Sequence, residues 1–203
     1  EIIKDINPDV ICVVAYGKIL PKEILEIPKY GCVNVHPSLL PKYRGSAPIQ
    51  WAILNGDKKT GVTTMYLAEE MDAGDIISQE EVEITSVDTA STVHDKLSLL
   101  GSKLLIKTLP SILEGTNERI KQDQSKVTFA PIITKEDEKI NFNKTSKEVY
   151  NQIRGLNSFA NFLSSSVSST ILSSPNHTAY IPHNFKPSVI AFAPPSSILD
   201  TAK

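Results

Sequence analysis

Residues 9–37 read DVICVVAYGKILPKEILEIPKYGCVNVHP, and this stretch decides the fold class. DVICVVAY is a nearly unbroken apolar, β-branched run, the pattern of a strand covered on both faces of a parallel sheet. GKILP turns the chain, Pro21 can open a short helix through KEILEI, and Pro28 ends it. GCVNV, residues 31–35, follows as a second strand. Strand, turn, helix and strand in that order form a parallel crossover unit of an α/β sheet. Such sheets bind ligands beyond the carboxyl ends of their strands, which is where Asn34-Val35-His36-Pro37 falls.

Working outward, APIQWAILNG has helical apolar spacing closed by Asn55-Gly56. Residues 61–68 and 76–84 alternate as two strands around EEMDAGD. Asp88-Thr89-Ala90-Ser91-Thr92 supplies capping chemistry for a long amphipathic helix, which Pro110 kinks or ends. From Gly115 to about Lys126 the chain is polar, as a linker would be. KVTFAP and KINFN read as short extended pieces, and Thr145 and Glu148 have capping-box spacing ahead of VYNQIRGL. Beyond Leu156 serine clusters and scattered prolines predict an irregular segment.

The chain has 203 residues, 40% of them hydrophobic, enough for one domain with a sizeable core or a domain plus part of another. A net charge of -2 gives no global basic footprint, so a nucleic-acid partner would need a local patch or a further segment. Cys12 and Cys32 lie in apolar runs without metal or redox spacing and are expected as buried, reduced thiols. No run suits a membrane span and the first residues do not resemble a signal peptide, so a cytoplasmic protein is expected. The absence of a Gly-x-Gly-x-x-Gly fingerprint argues against a dinucleotide-dependent oxidoreductase.

Asn34 and His36 are two residues apart, so on an extended backbone both project from one face. Pro37 reinforces this by pushing His36 away from helical geometry. An amide and an imidazole converging at a strand end can polarise a carbonyl and stabilise the oxyanion formed on nucleophilic attack. Taken alone, such a pair more often satisfies backbone groups at a turn than catalyses. EEMDAGD offers Asp72 and Asp75; a carboxylate beside His36 would raise the imidazole pKa and fix its tautomer. Spacing by itself leaves open whether these aspartates do chemistry or solvate a bend.

The segment NVHPSLLPKYRGSAPIQWAILNGDKKTGVTTMYLAEEMDAGDI resembles the catalytic segment of the formyltransferases that use 10-formyltetrahydrofolate. The resemblance implies an incomplete Rossmann-like formyltransferase fold of the α/β class with a mostly parallel sheet, followed by a degenerate C-terminal segment. It implies catalytic roles for Asn34, His36 and Asp72. It further implies folate contacts at Ser38, Leu39, Leu40 and Pro41, at Gly17, Lys18, Ile19 and Leu20, and at Leu67, Ala68 and Glu69. RGSAP, TGVTTM and MDAGDI are most similar to the branch acting on methionyl-tRNA. FAPIITKEDEKINFNKTSKEVYNQIRGLN resembles that branch's junction with a C-terminal domain.

The division expected is a catalytic core over residues 1–115, a linker and start of the next domain over 116–156, and a tail unlike the family over 157–203. Relatives carry first strands before the point where this chain opens, so part of the sheet is expected to be missing. The implied function is formyl transfer from 10-formyltetrahydrofolate, as co-substrate and without a metal, to the amino group of initiator methionyl-tRNA. Most tRNA-binding elements are expected to be missing, the state monomeric, the location cytoplasmic or an organellar matrix. The alternatives are a defunct folate-binding fragment and a formyltransferase for nucleotide-linked amino sugars. His177 and His183 are expected to be bystanders.

Overall fold

The structure is a computed structural model that describes residues 2–164, 179–180 and 189–192, with side chains through residue 157. Its strands are β1 (Val10–Val13), β2 (Cys32–His36), β3 (Lys59–Tyr66), β4 (Ile76–Glu83), β5 (Ala179–Tyr180) and β6 (Val189–Phe192). They form one sheet in the order β4-β3-β2-β1-β6-β5. The helices are α1 (Ile2–Ile6), α2 (Lys22–Leu25), α3 (Pro48–Leu54), α4 (Ala90–Leu113) and α5 (Ser146–Ser164).

The crossover unit is present: β1 and β2 run parallel, with α2 between them in the chain. Every β1 residue is buried, because α1, α2 and the loop after β1 cover one face of the sheet and α4 covers the other. On the first side Ile11, Val13 and Cys32 pack with Ile3, Ile6 and Ile24. On the second, Val10, Val33 and Tyr66 pack with Ile112 and Leu109. A larger cluster joins α3, β3 and α4 through Ile53, Val62, Val93 and Leu97. Burial of aliphatic side chains like these stabilises by roughly 1.5–3 kcal/mol each.

The sheet is mixed where a mostly parallel one was expected. β1 is parallel to β2 and β6, but β2–β3, β3–β4 and β5–β6 are antiparallel. The nine residues between β3 and β4 are too few for a parallel crossover and close a hairpin instead. Helix α4 runs through Pro110 to Leu113, so the proline does not end it. Thr145 and Glu148 form the expected reciprocal cap: the Thr145 N–H donates to Glu148 Oε2 at 2.9 Å and the Glu148 N–H to Thr145 Oγ1 at 3.3 Å.

Two expectations for the later chain do not hold. Residues 157–164, expected to be irregular, continue α5, because Leu156, Phe159, Ala160 and Leu163 keep helical spacing across that boundary. Val189–Phe192 and Ala179–Tyr180, within the same expected tail, are strands; VIAF is an apolar run of the same kind as VICV in β1. His177 and His183 lie outside the described residues. The stretch read as a linker is tied to the core: Ile120 and Ile76 exchange N–H···O bonds of 2.9 and 2.8 Å, and Arg44 bridges to Phe129.

Candidate active site

β2 ends at His36, and its pleat sets Asn34 and His36 on one face, as two-residue spacing requires. Both line a cavity of about 660 Å³ between the ends of β1 and β2, the β3–β4 connection and α4. Asp72 lines the same cavity from the β3–β4 connection. Its carboxylate Oδ1 stands 3.7 Å from His36 Nδ1.

The other ring nitrogen fixes the tautomer. His36 Nε2 is 2.9 Å from the Tyr43 carbonyl, which only accepts, so Nε2 carries hydrogen and donates to it. In the neutral ring Nδ1 is then a lone pair facing Asp72, beyond hydrogen-bond length from it. Burial lowers the His36 pKa below its usual 6.5; the Asp72 charge and the Tyr43 carbonyl push upward but do not overcome it. This corrects the expectation of an imidazole raised by its carboxylate: His36 is only 4% exposed, and desolvation outweighs a carboxylate at 3.7 Å. His36 at neutral pH is a base with an open Nδ1, not an acid.

Asp72 is held in three ways. The Gly45 N–H donates to its Oδ2 at 2.8 Å. Its carbonyl accepts from Gln122 Nε2 at 2.7 Å. Its backbone lies in the left-handed region at φ 51. A Cβ on Gly74 would meet the Tyr66 carbonyl at 1.9 Å, so the bend beyond Asp72 requires glycine for close backbone approach. Of the four non-glycine residues with positive φ among those described, Ala15 and Asp72 line the cavity and Tyr43 supplies the carbonyl that holds His36. Left-handed residues of this kind cost about 1–3 kcal/mol each and concentrate at functional sites. Asn34 makes no side-chain hydrogen bond to another described residue, which keeps its amide donors available to a bound oxygen.

The structure sorts the expected folate residues into two sets. Gly17, Lys18, Ile19 and Leu20, and also Leu67 and Ala68, line the cavity that holds Asn34, His36 and Asp72. Ser38, Leu39, Leu40, Pro41 and Glu69 do not. Ser38 is buried and donates to the Lys42 carbonyl at 2.7 Å. Leu40 packs with Met65 and Ile76. Leu39 lines a separate hollow of about 290 Å³ near Lys42 and Thr60, and Glu69 pairs at the surface with Lys22 at 3.5 Å. Leu39, Leu40 and Pro41 shape the loop after His36 and do not line the cavity, whereas Pro37 does.

Sequence reasoning missed Arg44 and Gln122, and the α4 wall of the cavity formed by Leu97, Ser98, Gly101 and Ser102. The wall had a signal, since Ser98, Gly101, Ser102 and Leu105 follow one helical face. Asp75 is engaged at the surface with Arg119 at 3.1 Å and is not part of the cavity lining. Cys12 and Cys32 are buried free thiols whose pKa values burial pushes up to about 12, which leaves them unreactive. Among the described residues no three His, Cys, Asp or Glu side chains gather as a metal site, and no helix is long and apolar enough to cross a membrane.

The formyl transferase family model matches residues 1–109, and the formyl transferase C-terminal domain matches residues 132–176. A methionyl-tRNA formyltransferase of Bacillus velezensis is 55% identical over 157 residues, covering 77% of this chain and 50% of the relative. One of Bacillus subtilis is 54% identical over 152 residues, covering 75% and 48%. The chain thus spans about half the length of the curated relatives it matches. Among solved structures, an N-formyltransferase from Helicobacter canadensis, in complex with folinic acid and dTDP-3-aminofucose, superimposes with a TM-score of 0.62 at 32% identity, over 68% of this chain and 51% of that one. With its first 109 residues matched by the family model and Asn34, His36 and Asp72 gathered at one cavity, this chain belongs to the formyl transferase family.

Proposed function

We propose that this chain carries the transfer centre of a methionyl-tRNA formyltransferase, moving a formyl group from 10-formyltetrahydrofolate to the amino group of initiator methionyl-tRNA, in the cytosol and without a metal. The observation that carries this reading is the convergence of an amide, a neutral imidazole and a carboxylate on one cavity. The cavity suits a flat bicycle: its wall from Val13 to Leu20 is mostly apolar, with Tyr16 and Lys18 among aliphatic residues, and its volume of about 660 Å³ is in the range of small-molecule sites. The folate enters as a substrate that supplies the formyl group. Identity of 55% to a methionyl-tRNA enzyme, against 32% to the amino-sugar-bound structure, favours the tRNA acceptor.

The residues then divide the work. The amine nitrogen bonds to the formyl carbon, the bond from that carbon to the folate nitrogen breaks, and one proton passes from the amine to the leaving nitrogen. Asn34 donates to the oxygen as it gains charge. His36 Nδ1 accepts the amine proton, and Asp72 at 3.7 Å stabilises the imidazolium so formed. His36 returns that proton to the departing nitrogen. Gly45 keeps the Asp72 carboxylate turned toward the ring.

The test offers the purified chain labelled 10-formyltetrahydrofolate with methionyl-tRNA or a dTDP-linked amino sugar as acceptor. Label is expected on methionyl-tRNA, and Asn34→Ala is expected to slow transfer by about 10² to 10³. Label on the amino sugar alone overturns the acceptor. Saturable binding of a folate analogue with no transfer to either overturns the catalytic reading in favour of a fragment that only binds folate.

A further inference from the structure

Arg44 is 1% exposed, the largest side chain fully enclosed in the described core. A guanidinium so placed requires partners. Nε and Nη2 donate to the single oxygen Oε1 of Gln122 at 3.0 and 2.8 Å, and Nη1 pairs with Glu70 Oε1 at 3.1 Å. Gln122, itself buried, spends its two N–H groups on the carbonyls of Asp72 and Gly74, at 2.7 and 2.9 Å. The side-chain bonds of the pair therefore link it to the loop from Glu70 to Gly74 that carries Asp72.

The neighbouring chain adds a second brace. The Arg44 N–H donates to the Thr128 carbonyl at 2.9 Å, the Ala130 N–H to the Arg44 carbonyl at 2.7 Å, and the Ala47 N–H to the Ala130 carbonyl at 3.1 Å. The Tyr43 N–H donates to Thr128 Oγ1 at 2.9 Å. Residues 127–131 thus clamp the loop whose Tyr43 carbonyl fixes the His36 tautomer and whose Gly45 N–H aims Asp72. At Gly45 a Cβ would meet the Ala130 carbonyl at 2.7 Å, which shows how closely the two segments fit.

We propose that Arg44 and Gln122 are positioning residues for the formyl-transfer reaction, and that residues 122–131, which fall between the two family matches, belong to the catalytic unit. The inference rests on Asp72 being the carboxylate partner of His36, as proposed above. Gln122 does not line the cavity and acts through Asp72. A displacement of about 1 Å at a reacting group costs on the order of 10²-fold in rate, so a loosened loop lowers kcat while the wall from Gly17 to Leu20, and with it the KM for the formyl donor, stays as it is.

Two variants of the full chain test this. Gln122→Met removes the donors and the acceptor without adding charge. Gln122→Glu keeps an acceptor for Arg44 and loses only the donors to the loop, which separates loss of the guanidinium's partner from loss of the brace. Amide exchange at Gly45 is expected to accelerate at least tenfold in both, with Val33 and Thr64 unchanged as markers of the intact sheet. In Gln122→Met the His36 titration, followed by the NMR signals of its ring, is expected to fall below that of the parent as the Asp72 charge moves away. Neither measurement needs an acceptor, so both hold if the acceptor proves to be an amino sugar; absence of transfer by the parent chain would count against the proposed function and would leave both measurements standing. Parental exchange at Gly45 and a parental His36 titration in folded variants overturn the positioning role.

Discussion

At the scale of single residues, the chemistry depends on the balance between desolvation and one nearby charge. His36 is driven down from 6.5 by burial, with Asp72 opposing. An ascending limb of kcat/KM against pH is therefore expected below 6.5, where Nδ1 loses its proton. In Asp72→Asn the opposing charge is gone, so the limb moves lower still, and the maximal rate falls by about 10² or more as the imidazolium loses its partner. A limb at or above 6.5 in the parent would mean that the carboxylate outweighs burial. The same shift acts on stability. Between 6.5 and the lower folded value the unfolded chain binds a proton that the folded chain refuses, so the stability His36 contributes is whole above 6.5 and is lost as pH falls through that window. Replacing His36 with Asn should flatten this part of the profile of melting temperature against pH. That Asn34 and His36 share a face was legible in the chain, because strand period is local. The direction of the His36 shift was not, because it depends on how deeply elements far apart in sequence enclose the ring.

Among the elements, α4 shows how a terminus is anchored. Thr89 accepts from the Thr92 N–H at 3.3 Å, and Thr92 Oγ1 accepts from the Thr89 N–H at 2.9 Å. Asp88, buried beside them, accepts from the Thr85 N–H and hydroxyl, from Lys96 and from the Thr92 hydroxyl, all between 2.7 and 2.9 Å. Burial alone would raise its carboxyl, yet the Lys96 ammonium and these donors hold it well below 3.8. Arg154 of α5 closes the arrangement by donating to the Thr85 and Asp88 carbonyls at 3.2 and 3.0 Å. Asp88→Asn is expected to lower stability by about 1–3 kcal/mol at neutral pH, read from the urea midpoint. The difference from the parent should narrow as pH falls below 3.8, since Asp88 stabilises above its unfolded pKa and that stability disappears on protonation. Equal midpoints at neutral pH would show that the network contributes nothing net. The cap itself was readable from Asp88 to Thr92, being contained in one turn. Arg154, 66 residues from Asp88, was not, and neither was the reach of Gln122 to Arg44 across 78 residues. Local rules locate helix starts and strand faces, whereas partners brought together by the fold leave no spacing to read.

Across the whole molecule, the sheet depends on β1 having a neighbour on each side. β2 pairs with it over Ile11–Val13, and β6 runs parallel to it with Val10 opposite Val189 and Val13 opposite Phe192. The loop leaving β1 forms the cavity wall from Ala15 to Leu20, so the same strand supports both the sheet and the site. Without β6, an apolar strand edge would stand open to pairing with another chain. The double variant Ile190→Pro, Ala191→Pro tests this dependence. Successive N–H groups of a strand point to opposite sides, so two adjacent prolines remove whichever one serves β1. The amides of Ile11, Cys12 and Val13 are expected to exchange faster, and light scattering is expected to show self-association that the parent lacks at the same concentration. Affinity for a folate analogue should fall as the wall loosens, while the Gly45 amide, held by Asp72 on the far side of β2, keeps its protection. A monodisperse variant with parental exchange along β1 would show that β6 contributes nothing to the edge, and that the sheet and the cavity wall stand on β1 and β2 alone.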